Sequence, residues 1–186
     1  FSLIPLYSTQ VCPPNTEWRE NIALAVKHGG IEAVTECIKK HGGNEGLLLS
    51  ATKVLKRTAQ NKTLVKVVAS SGALQTCLGS LAASNGAMEQ GAVECTDLLD
   101  IMAQNAPEFM IGSGIVESVF KVMTTYKHDD SVLASCITAL ERVSRKQEGM
   151  NEIVQSNGIH TVLGCLSFDN TEKDDDANPE HLVASF

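Results

Sequence analysis

Apolar residues along this chain return in short runs at helical spacing, and the runs themselves return at a longer interval. Ile31, Val34, Cys37 and Ile38 fall three and four apart, as one buried face of a helix requires. Gly42-Gly43-Asn44 interrupts the run, and a longer one follows through Leu47, Leu48, Ala51, Val54, Leu55 and Thr58 to a close near Gln60-Asn61. Asn61 is then the expected cap of a short helix carrying Leu64, Val65 and Val68. The same order follows Gly72: Leu74, Cys77, Leu78 and Leu81, a break at Ser84-Asn85-Gly86, then Val93, Leu98, Leu99 and Met102, with Pro107 fitting a new helix start. A third pass runs from Val116, Val119 and Met123 through His128-Asp129-Asp130 to Ile137, Ala139, Leu140 and Val143, and Ile153 and Val154 close it. No strand-like alternation occurs, so the pattern predicts an all-α fold.

The repeat is visible as a motif. Gly29-x-Ile31-x-x-Val34, Gly72-x-Leu74-x-x-Cys77, Gly114-x-Val116-x-x-Val119 and Asn157-x-Ile159-x-x-Val162 are separated by 43, 42 and 43 residues. A period of that size belongs to stacked helical units, none of which can bury its apolar face without a neighbour. The expected divisions are 1–28, an irregular segment plus the last helix of an incomplete preceding repeat; 29–71, 72–113 and 114–156, one repeat each; and 157–186, an incomplete repeat interrupted by an acidic loop over 169–177. In the first of these, Asn15-Thr16-Glu17 starts a helix through Ile22, Ala25 and Val26, and Phe1 to Pro14 reads as irregular, either an end cap or the remnant of an earlier unit. In the last, Asn178-Pro179-Glu180 opens a further helix, and Leu182-Val183-Ala184-Ser185 parallels Val132-Leu133-Ala134-Ser135. A chain beginning with Phe1 and ending inside a repeat is expected to be part of a longer one.

The glycine-led short helix, the Ala-rich long helix and the period of about 42 residues resemble armadillo repeats over residues 22 to 168. HEAT repeats share the period but favour two helices with a proline-kinked first one, which is missing here. The resemblance implies a right-handed α-solenoid of three-helix units whose long helices line a groove, and a trade in holding proteins. Carried over by position, the groove sites fall in pairs four residues apart: Lys53 and Arg57, Asp97 and Ile101, Thr138 and Arg142. The family's peptide binders often place Trp and Asn there to hold an extended backbone. None of these six is either, which argues against that clamping mode. The cations Lys53, Arg57 and Arg142 point instead to a partner segment bearing acids.

Composition narrows the alternatives. Aromatic residues make up 4% of the 186 and hydrophobic residues 43%, so the core is one of small and aliphatic side chains that let helices approach closely. The net charge is −7, of which five units fall after residue 168, leaving a body with no basic stripe and no case for nucleic acid. The cysteines, at 12, 37, 77, 95, 136 and 165, form neither a CxxC pair nor a ligand cluster. They read as small core hydrophobes in a reducing compartment, which with the lack of a secretory signal or an apolar run of about 20 residues points to a cytoplasmic protein, in the cytosol or on a cytoskeletal assembly. Asn61-Lys62-Thr63 is a chance glycosylation match at a helix start.

Signs of catalysis are missing. Gly42-Gly43-Asn44-Glu45-Gly46 lacks the Lys-Ser or Lys-Thr and the strand of a phosphate loop, Gly112-Ser113-Gly114 lacks nucleophile-elbow spacing, and the five histidines are scattered. Asp174-Asp175-Asp176 has no calcium-loop order. The expectation is a non-catalytic protein-binding scaffold, without cofactor or metal. The alternative within binding modules is a regulatory or co-chaperone-type domain docking a folded protein on its outer face. An all-helical enzyme or small-molecule receptor would need a closed polar pocket.

Overall fold

A left-handed backbone position stands at the head of each copy of the glycine-led motif. Gly29, Gly72 and Gly114 have φ of 80°, 73° and 77°, and Asn157, standing where the fourth glycine would, has φ 56°. Each closes one helix and turns the chain into the next. Only glycine adopts this region without cost, and asparagine tolerates it best among the rest.

The structure, a computed structural model, describes residues 16–167, with side chains over 20–166. These residues form ten α-helices and one 3-10 turn, with no strand among them: α1 (Thr16–Lys27), α2 (Gly30–His41), α3 (Glu45–Ala59), α4 (Val65–Ser70), α5 (Ala73–Ala82), α6 (Glu89–Asn105), a 3-10 turn (Pro107–Phe109), α7 (Ile115–Thr125), α8 (Asp130–Ser144), α9 (Gln147–Gln155) and α10 (Gly158–Ser167). The expected irregular start, the acidic loop and the helix opening at Asn178 lie outside the described residues.

Local chemistry explains most boundaries. The side chain of Asn44 accepts from the Leu47 N–H at 3.0 Å and starts α3; Asp129 accepts from Ser131 and Val132 at 3.0 and 3.1 Å and starts α8. Asn61 differs from its expected role as a helix cap. Its carboxamide oxygen accepts from the Thr63 N–H at 3.0 Å, closing a turn, and α4 begins only at Val65. In the second unit the third helix shrinks to the 3-10 turn at Pro107, held between Ala106 (φ −151°, ψ 51°) and the left-handed Gly112 and Gly114.

The helices pack in two rows. The long helices α3, α6 and α8 lie side by side in that order, and the short helices α2, α5, α7 and α10 do the same. Several hydrogen bonds between the units join residues 42 or 43 apart. Thr52 Oγ1 lies 3.4 Å from Cys95 Sγ, Ser84 Oγ lies 2.8 Å from Tyr126 Oη, Thr125 Oγ1 donates to the Ala82 carbonyl at 3.5 Å, and Cys165 Sγ to the Met123 carbonyl at 3.7 Å. Separations of 42 or 43 residues mean that each unit sits parallel to the last and in register with it.

Between the rows lies the core. Leu48, Leu55, Leu98, Leu99, Met102 and Val143 from the long helices meet Leu74, Leu78, Leu81, Val116 and Met123 from the short ones, all 2% exposed or less. Each contributes about 1.5–3 kcal/mol by leaving water. The polar side chains among them are satisfied locally: Thr35, Thr52 and Thr58 donate to the carbonyl four residues back at 2.8–2.9 Å. Among the described residues no buried side-chain nitrogen or oxygen lacks a partner. Val54, Val93 and Val154, read from spacing as inward, are instead 49%, 40% and 53% exposed, because flanking helices cover only part of the arc that an apolar face presents.

Candidate protein-binding face

Each long helix turns one side to the short-helix row and its flanks to its neighbours, which leaves one side outward. Exposed on these helices are Ser50, Lys53, Val54 and Arg57 of α3, Val93 and Asp97 of α6, and Ala134, Thr138 and Glu141 of α8.

The charges of this face are organised by helix. Cations come from α3, acids from α6, and α8 adds Arg142. Lys56 Nζ of α3 donates to Glu94 Oε2 at 2.5 Å and to Asp97 Oδ2 at 2.9 Å, while Lys53 Nζ lies 3.9 Å from Glu94 Oε1. On the other side of α6, Arg142 pairs with the Asp100 carboxylate and donates to the Asp100 carbonyl at 3.1 Å. Glu45 continues the ladder at the helix starts, its carboxylate accepting from the Gln90 and Gly91 N–H groups at 3.0 and 3.2 Å. Acids at a helix N-terminus complement its dipole. Burial works to lower the Lys56 pKa, but hydrogen bonds and charge from Glu94 and Asp97 outweigh it and hold it above its ordinary value.

These placements sort the six positions expected to form the groove. Lys53 and Asp97 are brought together through Lys56 and Glu94. Arg142 is committed to Asp100, so it braces α8 against α6. Ile101 is half-buried and packs on the core rather than standing on the face. Thr138 is exposed, its hydroxyl donating to the Ala134 carbonyl at 2.8 Å. Arg57 is exposed and has no ion-pair partner among the described residues. The capacity to receive an acidic group therefore narrows to the α3 edge, at Lys53 and Arg57, with Val54 beside them.

Sequence reasoning missed Lys56, Glu94 and Asp100. The pairs they form span 38, 41 and 42 residues. Positions that share a face recur at one helix-start offset, whereas positions that touch across two helices are displaced by up to a turn, so searching for opposite charges at one period or a few residues short of it would have found them.

The described residues hold no group of three or more His, Cys, Asp or Glu placed to share a metal ion. No described helix is long and apolar enough to cross a membrane. Of the described cysteines, Cys37 is half-buried while Cys77, Cys95 and Cys136 are fully buried, and burial pushes the Cys136 thiol up to about 12. The hydrogen bond with Cys77, together with burial, holds the Cys95 thiol well above its ordinary value. A groove of about 330 Å³ lies between α8 and α10, with Glu141 among its lining residues. No protein-family model, curated protein or solved structure matches the chain.

Proposed function

We propose that these units are armadillo-type repeats of a right-handed α-solenoid, and that the chain is a non-catalytic scaffold holding a partner protein segment along the outward side of α3, α6 and α8. The observation that carries the reading is the parallel, in-register succession of the three long helices, each presenting the same side outward. Such a surface is continuous, and its buried core keeps it rigid, so a partner segment alone gives up conformational freedom on binding.

The segment it fits best carries a carboxylate for Lys53 and Arg57 and an apolar residue for Val54 or Val93. Arg57 can grip a carboxylate with two N–H groups, and hydrogen bonds to charged groups contribute about 1.5–3 kcal/mol each. The α6 acids repel a second carboxylate deeper in, which sets the direction of the segment: acid toward α3, neutral or basic toward α6.

Selection of a displayed library of disordered peptides on the full chain tests this. Acid-bearing, partly apolar peptides are expected, with affinity falling about 10- to 100-fold in the double variant K53E/R57E. Failure to enrich any peptide, or equal affinity for the variant, overturns the reading. Loss of binding in M150D/V154D instead would move the interaction to α9, where Met150 and Val154 are 43% and 53% exposed.

A further inference from the structure

Cys77 of α5 and Cys95 of α6 lie together in the core of the second unit, both fully buried. One hydroxyl reaches both. Thr52 Oγ1, from α3 of the preceding unit, lies 3.4 Å from Cys95 Sγ and 3.8 Å from Cys77 Sγ, and it donates to the Leu48 carbonyl at 2.8 Å. With its proton placed there, Oγ1 accepts from a thiol, and it can turn that proton to whichever sulfur is ionised. The two thiols also hydrogen-bond to each other. The bond with Cys95, helped by Thr52, outweighs burial and holds the Cys77 thiol below its ordinary value, while Cys95 is held above its own. The sulfurs are therefore inequivalent, one disposed to ionise first and the other to keep its proton beside it.

We propose that Cys77 and Cys95 form a site of reversible oxidation, which hydrogen peroxide closes to a disulfide between α5 and α6. The Cys77 thiolate attacks a peroxide oxygen; the S–O bond forms, the O–O bond breaks, and the departing hydroxide takes the proton Cys77 released and leaves as water. Cys95 then attacks the Cys77 sulfur; the S–S bond forms, the S–O bond breaks, and hydroxide leaves as water with the Cys95 proton. Two thiols and one hydrogen peroxide give one disulfide and two waters, with two electrons passing from sulfur to oxygen.

The surroundings favour this end point. A sulfenic acid held in the core buries an extra hydroxyl, which is costly, and the neighbouring sulfur removes it. The disulfide needs no hydrogen bond, and Thr52 keeps its own to Leu48, so closure orphans no polar group. Burial also favours a small oxidant: hydrogen peroxide is close to water in size, whereas a peptide disulfide is far bulkier. The inference concerns the core and is independent of the binding face assigned above.

The test exposes the folded full chain to hydrogen peroxide, alkylates the remaining thiols after unfolding, and maps the products by mass spectrometry. A glutamate-specific protease cuts between the two cysteines, at Glu89 and Glu94. A linked pair of peptides carrying Cys77 and Cys95 is expected, lighter by two hydrogens and separated by dithiothreitol, with helical circular dichroism retained and Cys136 still alkylated. In C95A, which removes the resolving sulfur, dimedone added on unfolding should trap a sulfenic acid at Cys77 several-fold above the parent chain. Recovery of Cys77 and Cys95 as alkylated thiols would overturn the proposal, as would sulfinic acid at either sulfur in place of the link, or a link to another cysteine. So would a link that forms only as the circular dichroism is lost, or trapping in C95A no higher than in the parent.

Discussion

Replacing Gly72 by alanine isolates the backbone requirement at the head of a repeat. Gly72 has φ 73° and ψ 6°, and a Cβ added there would meet nothing within 4 Å, so crowding contributes nothing. Its carbonyl is anchored by the Thr76 N–H at 3.0 Å and the Thr76 hydroxyl at 2.9 Å, which keeps the peptide from swinging away to relieve strain. The left-handed conformation costs an L-residue about 1–2 kcal/mol. Stiffening of the unfolded chain returns about 0.4–1 kcal/mol of that. The net loss is then about 0–1.6 kcal/mol, a fall in melting temperature of up to about 6 °C for a chain of this size. Gly79 is the control: it lies in the middle of the same helix, exposed, with nothing within 4 Å of an added Cβ, so G79A should stabilise by about 0.5–1 kcal/mol. Opposite signs from one chemical change seven residues apart are the signature. G72N should cost less than G72A, since Asn157 already stands at the fourth of these positions with φ 56°. Thermal and urea denaturation followed by far-UV circular dichroism measure all three. If G72A is as benign as G79A, or G72N is the worse of the two changes at Gly72, left-handed geometry is not what the motif glycines supply.

The bridge between Asp100 and Arg142, with side chains 37% and 25% exposed, should show a coupling of about 1 kcal/mol in a D100N/R142M double-mutant cycle, shrinking in 1 M NaCl; zero coupling would mean the pair does not brace α6 against α8. Cys136 has its pKa raised by burial from 9.0 to about 12, so its contribution is whole below about pH 9 and is lost as pH rises toward 12. Stability measured across that window should fall less steeply in C136A than in the parent chain, and native alkylation near pH 8 should reach the half-buried Cys37 well before Cys77, Cys95 or Cys136.

How much was legible in the sequence follows from what each kind of information records. Helix existence and order were readable because each helix answers to local causes: Asn44 and Asp129 cap, the motif glycines turn, and apolar residues three and four apart mark one face. The spacing of the motif in the sequence is 42 or 43 residues, and the bonds between Thr52 and Cys95 and between Ser84 and Tyr126 join residues that distance apart.

Only the tertiary structure decided which charges are spent within the fold and which face outward. Arg142 and Arg57 are both cations on long helices, yet Arg142 faces a carboxylate one helix away and Arg57 does not. Nor could helical spacing tell Val116 from Ile159, which occupy the same position in the motif with 0% and 61% exposure. Local sequence determines the conformation of a residue through its own backbone and near neighbours. Burial and pairing belong to whatever lies across the interface, and that is set by residues forty positions away.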